Sequence, residues 1–253
     1  MSVLKKATQA LDYLGESGEP QRLAQVAASL GVPKSSAHRL LTEMSQVGLV
    51  WHFADGRYGL GPRLLYFGAV AARSIGLREV AESPVRQLRA ITGESVHLYI
   101  PQETSLICIL AVEGTHSLRP FVALGRPRVM GPGSSGKLLM AYSDDATRKA
   151  AGSAAEQLGW TVPAPAELDQ IRRDGWVTSV GELEPDLAGI AVAVTGRGGA
   201  IIAALTISGS AARLTSERLL SLREPMRECA EQIARAASGQ TPARPAGAVS
   251  IIG

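Results

Sequence analysis

Four polar side chains recur at helical spacing along one side of a predicted helix that begins at Pro33. This stripe is short, rich in hydrogen-bond donors and free of large apolar residues. A helix with such a stripe can read base edges in the major groove of DNA. The stripe consists of Ser35, His38, Arg39 and Thr42. We expect base contacts from Ser35, Ser36, His38 and Arg39, and phosphate contacts from Lys34 and Arg57.

The elements around this stripe would hold it in a winged helix-turn-helix. Leu23–Leu30 carries apolar residues at the helical period, and Gly31–Pro33 ends that helix and begins the next. Leu49–Phe53 and Arg57–Leu60 are predicted strands of a hairpin with an Asp-Gly turn. A further helix, Val3–Gly15, would complete the core with Val3, Ala7, Ala10, Leu11 and Leu14. The alternative is an ordinary pair of packed helices without a DNA-binding role.

The charge of this segment predicts that it works as a pair. Six basic and five acidic side chains among the first 60 residues leave a net charge of only +1. Because neutralised phosphates supply much of the affinity for DNA, a single copy would bind weakly. The next predicted helix, Arg63–Ser74, is apolar on more than one side, which suits a linker that also dimerises. An ordinary interdomain helix remains the alternative.

The composition is that of a globular chain with room for two modest domains. The 253 residues are 45% hydrophobic and 19% charged, with a net charge of +3. The N-terminus lacks an apolar signal-peptide core, and the longest uncharged apolar run, Gly198–Ala212, is shorter than the about 20 residues of a membrane span. We therefore expect a soluble, cytoplasmic protein that does not bind membranes. Cys108 and Cys229 are expected to be buried, reduced thiols.

The rest of the chain is predicted to be an α+β domain with mostly antiparallel strands. The predicted strands are Ser95–Ile100, Leu106–Val112, Leu118–Ala123, Trp176–Val180, Gly189–Val194 and Ala200–Ser208. The predicted helices are Leu77–Thr92 with an interruption at Pro84, Ser134–Tyr142, Asp145–Ala151, Ala166–Asp174, and one from its cap Thr215 to about Ser238. The tail after Gly239 is expected to be disordered.

Gly131–Lys137 matches the glycine-rich core of a phosphate-binding P-loop. Leu138 stands where that motif needs a hydroxyl for Mg²⁺, and the preceding segment 126–130 is a poor buried parallel strand. A nucleotide-binding protein is therefore a remote alternative. Small residues at a helix start still leave backbone N–H groups free for an anion. Thr206 and Ser208 lie two apart on a strand, so a hydroxyl-lined floor and this loop could hold a small carboxylate.

Catalytic chemistry has little support in the sequence. The four histidines lack metal-ligand spacing, and no nucleophile motif is present. We expect no enzyme activity, no catalytic residues, no metal and no cofactor.

Seven segments together resemble the IclR family of bacterial transcription regulators, from about Leu4 to Ala237. Their order and spacing are specific, although each alone is weak. They are Gly31–Leu41, Gly56–Arg63, Leu77–Val80, Thr92–Ser95, Gly136–Lys137, Glu182–Pro185 and Ala204–Gly209.

This resemblance implies a winged helix-turn-helix over residues 1–61, a linker and dimerisation helix over 62–76, and a GAF-like effector domain over 77–238, followed by the tail 239–253. It implies a regulator that binds double-stranded operator DNA as a homodimer or homotetramer and responds to a small-molecule effector. Mapped by motif, the effector pocket would contain Gly133, Ser134, Ser135, Gly136, Ser179, Gly189, Thr206 and Ser208. A constitutive DNA-binding regulator with a purely structural C-terminal domain is the alternative.

The chain departs from the family pattern at four positions. Gly131 and Gly133 stand where many members have His and Thr, Gly189 where Cys is usual, and Ala193 where Pro is usual. The missing side chains at 131 and 133 should widen the pocket and leave backbone N–H groups as its main polar contacts. The Gly-Ser-Ser loop is similar to that of an actinobacterial-type subgroup linked to amino-acid metabolism, which implies a carboxylate or amino-acid-related effector.

Overall fold

The computed structural model describes residues 2–74 and 76–238. The chain divides after residue 74 into two compact units, each with its own core. The predicted tail 239–253 lies outside the described residues, as does Ile75 in the predicted linker.

The N-terminal unit is the expected winged helix-turn-helix followed by one further helix. Its core contains Ala10, Val26, Leu41, Met44 and Tyr58. Its elements are α1 (Val3–Ser17), β1 (Gln21–Arg22), α2 (Leu23–Ser29), α3 (Lys34–Gln46), β2 (Val50–His52), β3 (Arg57–Leu60) and α4 (Arg63–Ser74).

Two details of this unit differ from the prediction. Val3 was expected to face the core but is 62% exposed, because it lies in the first turn of α1, just after the cap formed by Ser2. The short strand β1 was not predicted, because two residues are too few to show a periodic pattern. It pairs with β3, so that the hairpin becomes a three-stranded sheet.

The C-terminal unit is built on a six-stranded sheet in which every pair of neighbours is antiparallel, which confirms the expected α+β architecture. The strand order is β6-β5-β4-β9-β8-β7. The strands are β4 (Ser95–Gln102), β5 (Ser105–Val112), β6 (Pro127–Val129), β7 (Trp176–Val180), β8 (Leu187–Thr195) and β9 (Ile201–Ser210). The helices are α5 (Gly76–Thr92), α6 (Ser134–Tyr142), α7 (Asp145–Gln157), α8 (Pro165–Asp174), α9 (Ser216–Ser221) and α10 (Arg223–Ser238).

The two faces of the sheet bury different sets of helices. One face packs against α5, α9 and α10, with Leu98, Leu205, Ile207 and Met226 in a large apolar core. The other face packs against α6, α7 and α8 in a smaller core. This second face is the one on which small and polar residues replace large apolar ones.

Three predictions for this unit are wrong. Helix α5 runs through Pro84 without interruption, because Ala81, Val85 and Leu88 pack its apolar side onto the sheet. Residues 118–123 do not form a strand; the edge strand β6 comes later. The predicted final helix is two helices, α9 capped by Thr215 and α10, which has Pro225 in its first turn.

Both cysteines are buried and free, and burial raises the pKa of each thiol to about 12. Across the described residues, no helix is long and apolar enough to cross a membrane.

Candidate functional site

Helix α3 presents the predicted DNA-binding side chains to solvent. It begins immediately after Pro33, and it buries its apolar side in the N-terminal core through Ala37, Leu40, Leu41 and Met44. Because these four residues fix the rotation of the helix, the opposite side points outward. All six predicted residues of α3 are exposed: Lys34, Ser35, Ser36, His38, Arg39 and Thr42.

The two arginines of the predicted DNA surface differ in how closely a neighbouring carboxylate holds the guanidinium. The Arg39 side chain is 83% exposed, and its Nε lies 4.0 Å from Glu43 Oε1, a distance that leaves the guanidinium able to turn toward a base. Arg57, on β3, donates from Nε to Asp55 Oδ2 at 2.7 Å, and this contact lowers the pKa of Asp55. A phosphate at Arg57 would have to compete with that carboxylate.

A cavity of about 600 Å³ lies in the C-terminal unit between the sheet and the first turn of α6. Of the eight predicted effector residues, Gly136 does not line this cavity. Its Cα faces the backbone of Gly131 instead, since a Cβ there would lie 2.7 Å from the Gly131 carbonyl oxygen. The other seven line the cavity: Gly133, Ser134, Ser135, Ser179, Gly189, Thr206 and Ser208.

The register of the strands explains why the face of the sheet leaves an open space at this point. Ser179 on β7 lies opposite Gly189 on β8, and Gly189 lies opposite Ser208 on β9. Three neighbouring strands thus place small residues side by side on one face. The floor of the cavity is the space that larger side chains would have filled.

Among the polar residues of this floor, Ser179 and Thr206 are buried and Ser208 is half-buried. The Ser208 hydroxyl lies 3.3 Å from His97 Nδ1, and burial lowers the pKa of His97 to about 4, so its imidazole is neutral near pH 7. Thr206 is only 4% exposed, and its hydroxyl oxygen has no hydrogen-bond partner among the residues that the structure describes. An unsatisfied buried hydroxyl costs free energy, and a bound molecule or water would supply its partner.

Glu182, in the connection between β7 and β8, holds the loop before α6 and its first turn through two hydrogen bonds. Glu182 Oε2 accepts a hydrogen bond from the Gly133 N–H at 3.1 Å, and its Oε1 accepts one from Lys137 Nζ at 2.6 Å. Lys137 is also 3.2 Å from Glu167 Oε1. The preceding strand β6 is an antiparallel edge strand, whereas a P-loop follows a parallel one. Lys137 therefore fixes the fold here, which argues against the P-loop alternative.

Among the lining residues outside the predicted set are two that can donate hydrogen bonds, Tyr99 on β4 and Arg128 on β6. Arg128 Nη2 donates to Ser135 Oγ at 3.0 Å, and burial lowers the pKa of its guanidinium. Polar side chains thus line the cavity in addition to the backbone N–H groups that we predicted as its main polar contacts. The signal in the sequence was an arginine between Pro127 and Val129, which we interpreted only as evidence against a parallel strand.

The expected widening of the pocket is limited at Gly131 but not at Gly133, where a Cβ would lie no nearer than 3.9 Å to Leu183. A Cβ at Gly131 would lie 3.2 Å from Ala155 Cβ and 3.5 Å from Trp160 Cε3, so these side chains already occupy that space. Gly133 has a φ of +85°, which favours glycine. Within the described ranges, no group of three or more His, Cys, Asp or Glu side chains could hold a metal ion.

Comparison with known proteins agrees with this two-part organisation. The model of the IclR helix-turn-helix domain matches residues 3–51, and the model of the C-terminal domain of bacterial IclR transcriptional regulators matches residues 69–235. The regulator KipR of Bacillus subtilis is 27% identical over 220 residues, 84% of this chain and 88% of KipR. The glycerol operon regulatory protein of Streptomyces coelicolor is 29% identical over 242 residues, 92% of this chain and 94% of that protein.

Solved structures show the same fold. The Thermotoga maritima IclR structure has a TM-score of 0.71 at 24% identity and covers 93% of this chain and 98% of its own. An IclR homologue from Microbacterium hydrocarbonoxydans, in complex with 4-hydroxybenzoate, has a TM-score of 0.77 at 21% identity and covers 94% of this chain and all of its own. The family models together span most of the sequence, and this chain belongs to the IclR family of bacterial transcriptional regulators.

Proposed function

We propose that this protein is a ligand-responsive, homo-oligomeric transcription regulator that binds operator DNA in the cytoplasm through α3. The observation that carries the proposal is the division of α3 into a fully buried apolar side and a fully exposed polar side. Residues 1–61 would bind DNA, 62–76 would link and dimerise, and 77–238 would bind an effector. Base contacts are assigned to Ser35, Ser36, His38 and Arg39, and phosphate contacts to Lys34 and Arg57.

The exposed apolar surface of α4 supports the pairing of two chains. Leu65, Tyr66, Phe67 and Val70 are large side chains that stay exposed on this helix. Several large apolar side chains exposed on one helix are typical of a helix that packs in an interface. A dimer through α4 would also hold two copies of α3 at a fixed spacing, as half-sites on one duplex require.

The C-terminal cavity supports control by a small molecule. It is concave, is lined by both apolar and polar side chains, and is of the size that ligand sites usually have. The Microbacterium homologue has 4-hydroxybenzoate bound. For this chain we propose a carboxylate or amino-acid-related effector, held by the hydroxyls of the floor and the loop before α6.

Replacing Arg39 by Ala tests the DNA assignment. The operator is first obtained by selection from a random DNA library, and affinity is then measured on that operator and on random DNA. A bidentate contact to guanine predicts a loss of about 1–3 kcal/mol on the operator, with relaxed preference at one base pair. The control Arg173→Ala removes the same charge from an exposed position on α8, in the C-terminal unit, and should change neither affinity.

Equal losses on operator and random DNA would reassign Arg39 to phosphate contact. A wild-type protein that selects no sequence at all would overturn the proposed function. The alternative of a constitutive regulator is tested by a thermal-shift screen of amino acids, keto acids and aromatic acids, followed by operator binding. It predicts that no compound stabilises the protein or alters its DNA binding.

A further inference from the structure

Arg128 brings a positive charge to the cavity without a carboxylate partner. Its guanidinium donates to Ser135 Oγ at 3.0 Å, and its second contact, to the Pro132 carbonyl oxygen, is 3.5 Å long. Neither partner carries a charge, and no ion pair to Arg128 occurs in the described part of the chain. Arg128 is half-buried, and arginines withdrawn from water are normally paired, because an isolated charge loses part of its hydration without compensation.

Other hydrogen-bond donors converge on the same place. The Tyr99 hydroxyl is close enough to Arg128 to interact with it electrostatically, and it makes no hydrogen bond to any described residue. Ser134 and Ser135 open α6, so their backbone N–H groups have no partner within the helix. A guanidinium, a phenol and a helix N-terminus together favour negative charge.

The unpartnered hydroxyl of Thr206 is an independent sign that this cavity takes a ligand. Thr206 comes from β9, on the floor, and lines the same space as Arg128 and Tyr99. Its oxygen is buried and unpaired, although Ser208, two residues along the strand, has His97 as its partner. Of the two buried side-chain atoms without a partner among the described residues, Arg78 Nε lies on α5, outside the cavity lining, and the Thr206 hydroxyl lines the cavity, where an occupant can supply its hydrogen bond.

The remaining walls indicate what else the ligand carries. Leu106, Leu158, Trp160 and Leu183 give one part of the cavity an apolar and aromatic surface. Two other cations lie near this loop. Lys137 is already bound by Glu182 and Glu167. Arg126, which lines the cavity together with Glu184, is exposed to solvent and has a partner of its own. One unpaired guanidinium matches one negative charge, and its planar fork matches the two oxygens of a carboxylate.

We propose that Arg128, supported by Tyr99 and the first turn of α6, binds the anionic head of the effector. The ligand is therefore a monocarboxylate with an apolar body. This inference rests on the proposed function in treating the cavity as a ligand site, but it adds a binding residue outside the motif positions and defines the charge of the ligand.

The test uses carboxylates paired with their uncharged amides. Thermal shift and calorimetry are measured on the full chain with benzoate and benzamide, phenylacetate and phenylacetamide, and hexanoate and hexanamide. Wild type should bind at least one acid better than its amide. Arg128→Gln should weaken that acid by about thirtyfold, or about 2 kcal/mol, because it removes one partner of a buried charge pair. Arg86→Gln, which removes an equal charge from the exposed side of α5, should bind like wild type.

A second measurement separates a binding role from a structural one. Removing an unpaired buried charge should leave the melting temperature of the ligand-free protein unchanged or raise it, whereas loss of a structural arginine would lower it. The proposal is overturned if no acid binds, if amides bind as well as acids, or if Arg128→Gln binds the acid like wild type. Operator binding is measured in parallel on the wild type without ligand, so failure of the DNA-binding function would show separately from failure of the carboxylate site.

Discussion

The buried imidazole of His97 should make the C-terminal unit sensitive to acid. His97 is 2% exposed on β4, opposite Thr206 of β9, and its Nδ1 lies 3.3 Å from Ser208 Oγ. Burial lowers its pKa from 6.5 to about 4, since the charged ring would lose its hydration inside the sheet. In the unfolded chain the same side chain is solvated and titrates near its ordinary pKa.

The size and sign of the effect follow from this difference. At pH 7 the His97 imidazole is mainly neutral in both the folded and the unfolded chain. It therefore adds almost no pH dependence to the free energy of unfolding at that pH. As the pH falls to 5, the unfolded chain binds nearly one proton that the folded chain does not. Stability therefore falls by about 2 kcal/mol between pH 7 and pH 5, and by about 3 kcal/mol by pH 4.

The assay compares wild type with His97→Gln by urea unfolding at pH 7 and pH 5. Glutamine can keep a hydrogen bond to Ser208 but does not titrate, so the variant should lose about 2 kcal/mol less than wild type over this interval. His38→Gln is the control, because His38 is exposed on α3. An equal loss in wild type and His97→Gln would refute the reasoning, as would a ring titration of His97 centred near pH 6.5 by NMR.

Two further predictions concern the lysines. Lys34→Ala should make the salt dependence of operator binding shallower by about one phosphate contact, and an unchanged slope in a salt titration would remove Lys34 from the DNA interface. Lys137→Met should lower the free energy of unfolding by about 1–3 kcal/mol, less than for a fully buried pair because Glu167 and Glu182 are partly exposed. Neither wild type nor this variant should gain thermal stability from Mg²⁺ and ATP; a gain present only in wild type would revive the P-loop alternative.

The DNA-reading helix could be predicted from sequence because its evidence is local. Ala37, Leu40, Leu41 and Met44 repeat at the helical period, and that repeat alone fixes which side of α3 faces solvent. No partner element has to be known. The exposed stripe follows from the buried one.

The cavity could be predicted only in part, because its shape depends on which strands are neighbours. The loop before α6 and the pair Thr206 and Ser208 were identified from their residue types, but the alignment of Ser179, Gly189 and Ser208 needs the register of three strands. Arg128 was missed for a related reason. Its proposed role depends on a guanidinium that forms no ion pair with a described residue, and the absence of such a contact cannot be seen along a chain.

The alignment of Ser179, Gly189 and Ser208 also means that some parts of the cavity wall can change in evolution more freely than others. A side chain at Gly189 would meet the carbonyl oxygen of Ile207 at 2.8 Å, so change on the floor disturbs the hydrogen-bond ladder of the sheet itself. The opposite rim, residues 120–123, belongs to no helix or strand, and its Phe121 is 87% exposed. Duplicated copies of such a gene can change at the rim without disturbing the sheet, whereas a change at Gly189 needs a compensating shift in the strands around it. New ligand preferences then arise while the fold that would couple ligand binding to DNA binding is retained.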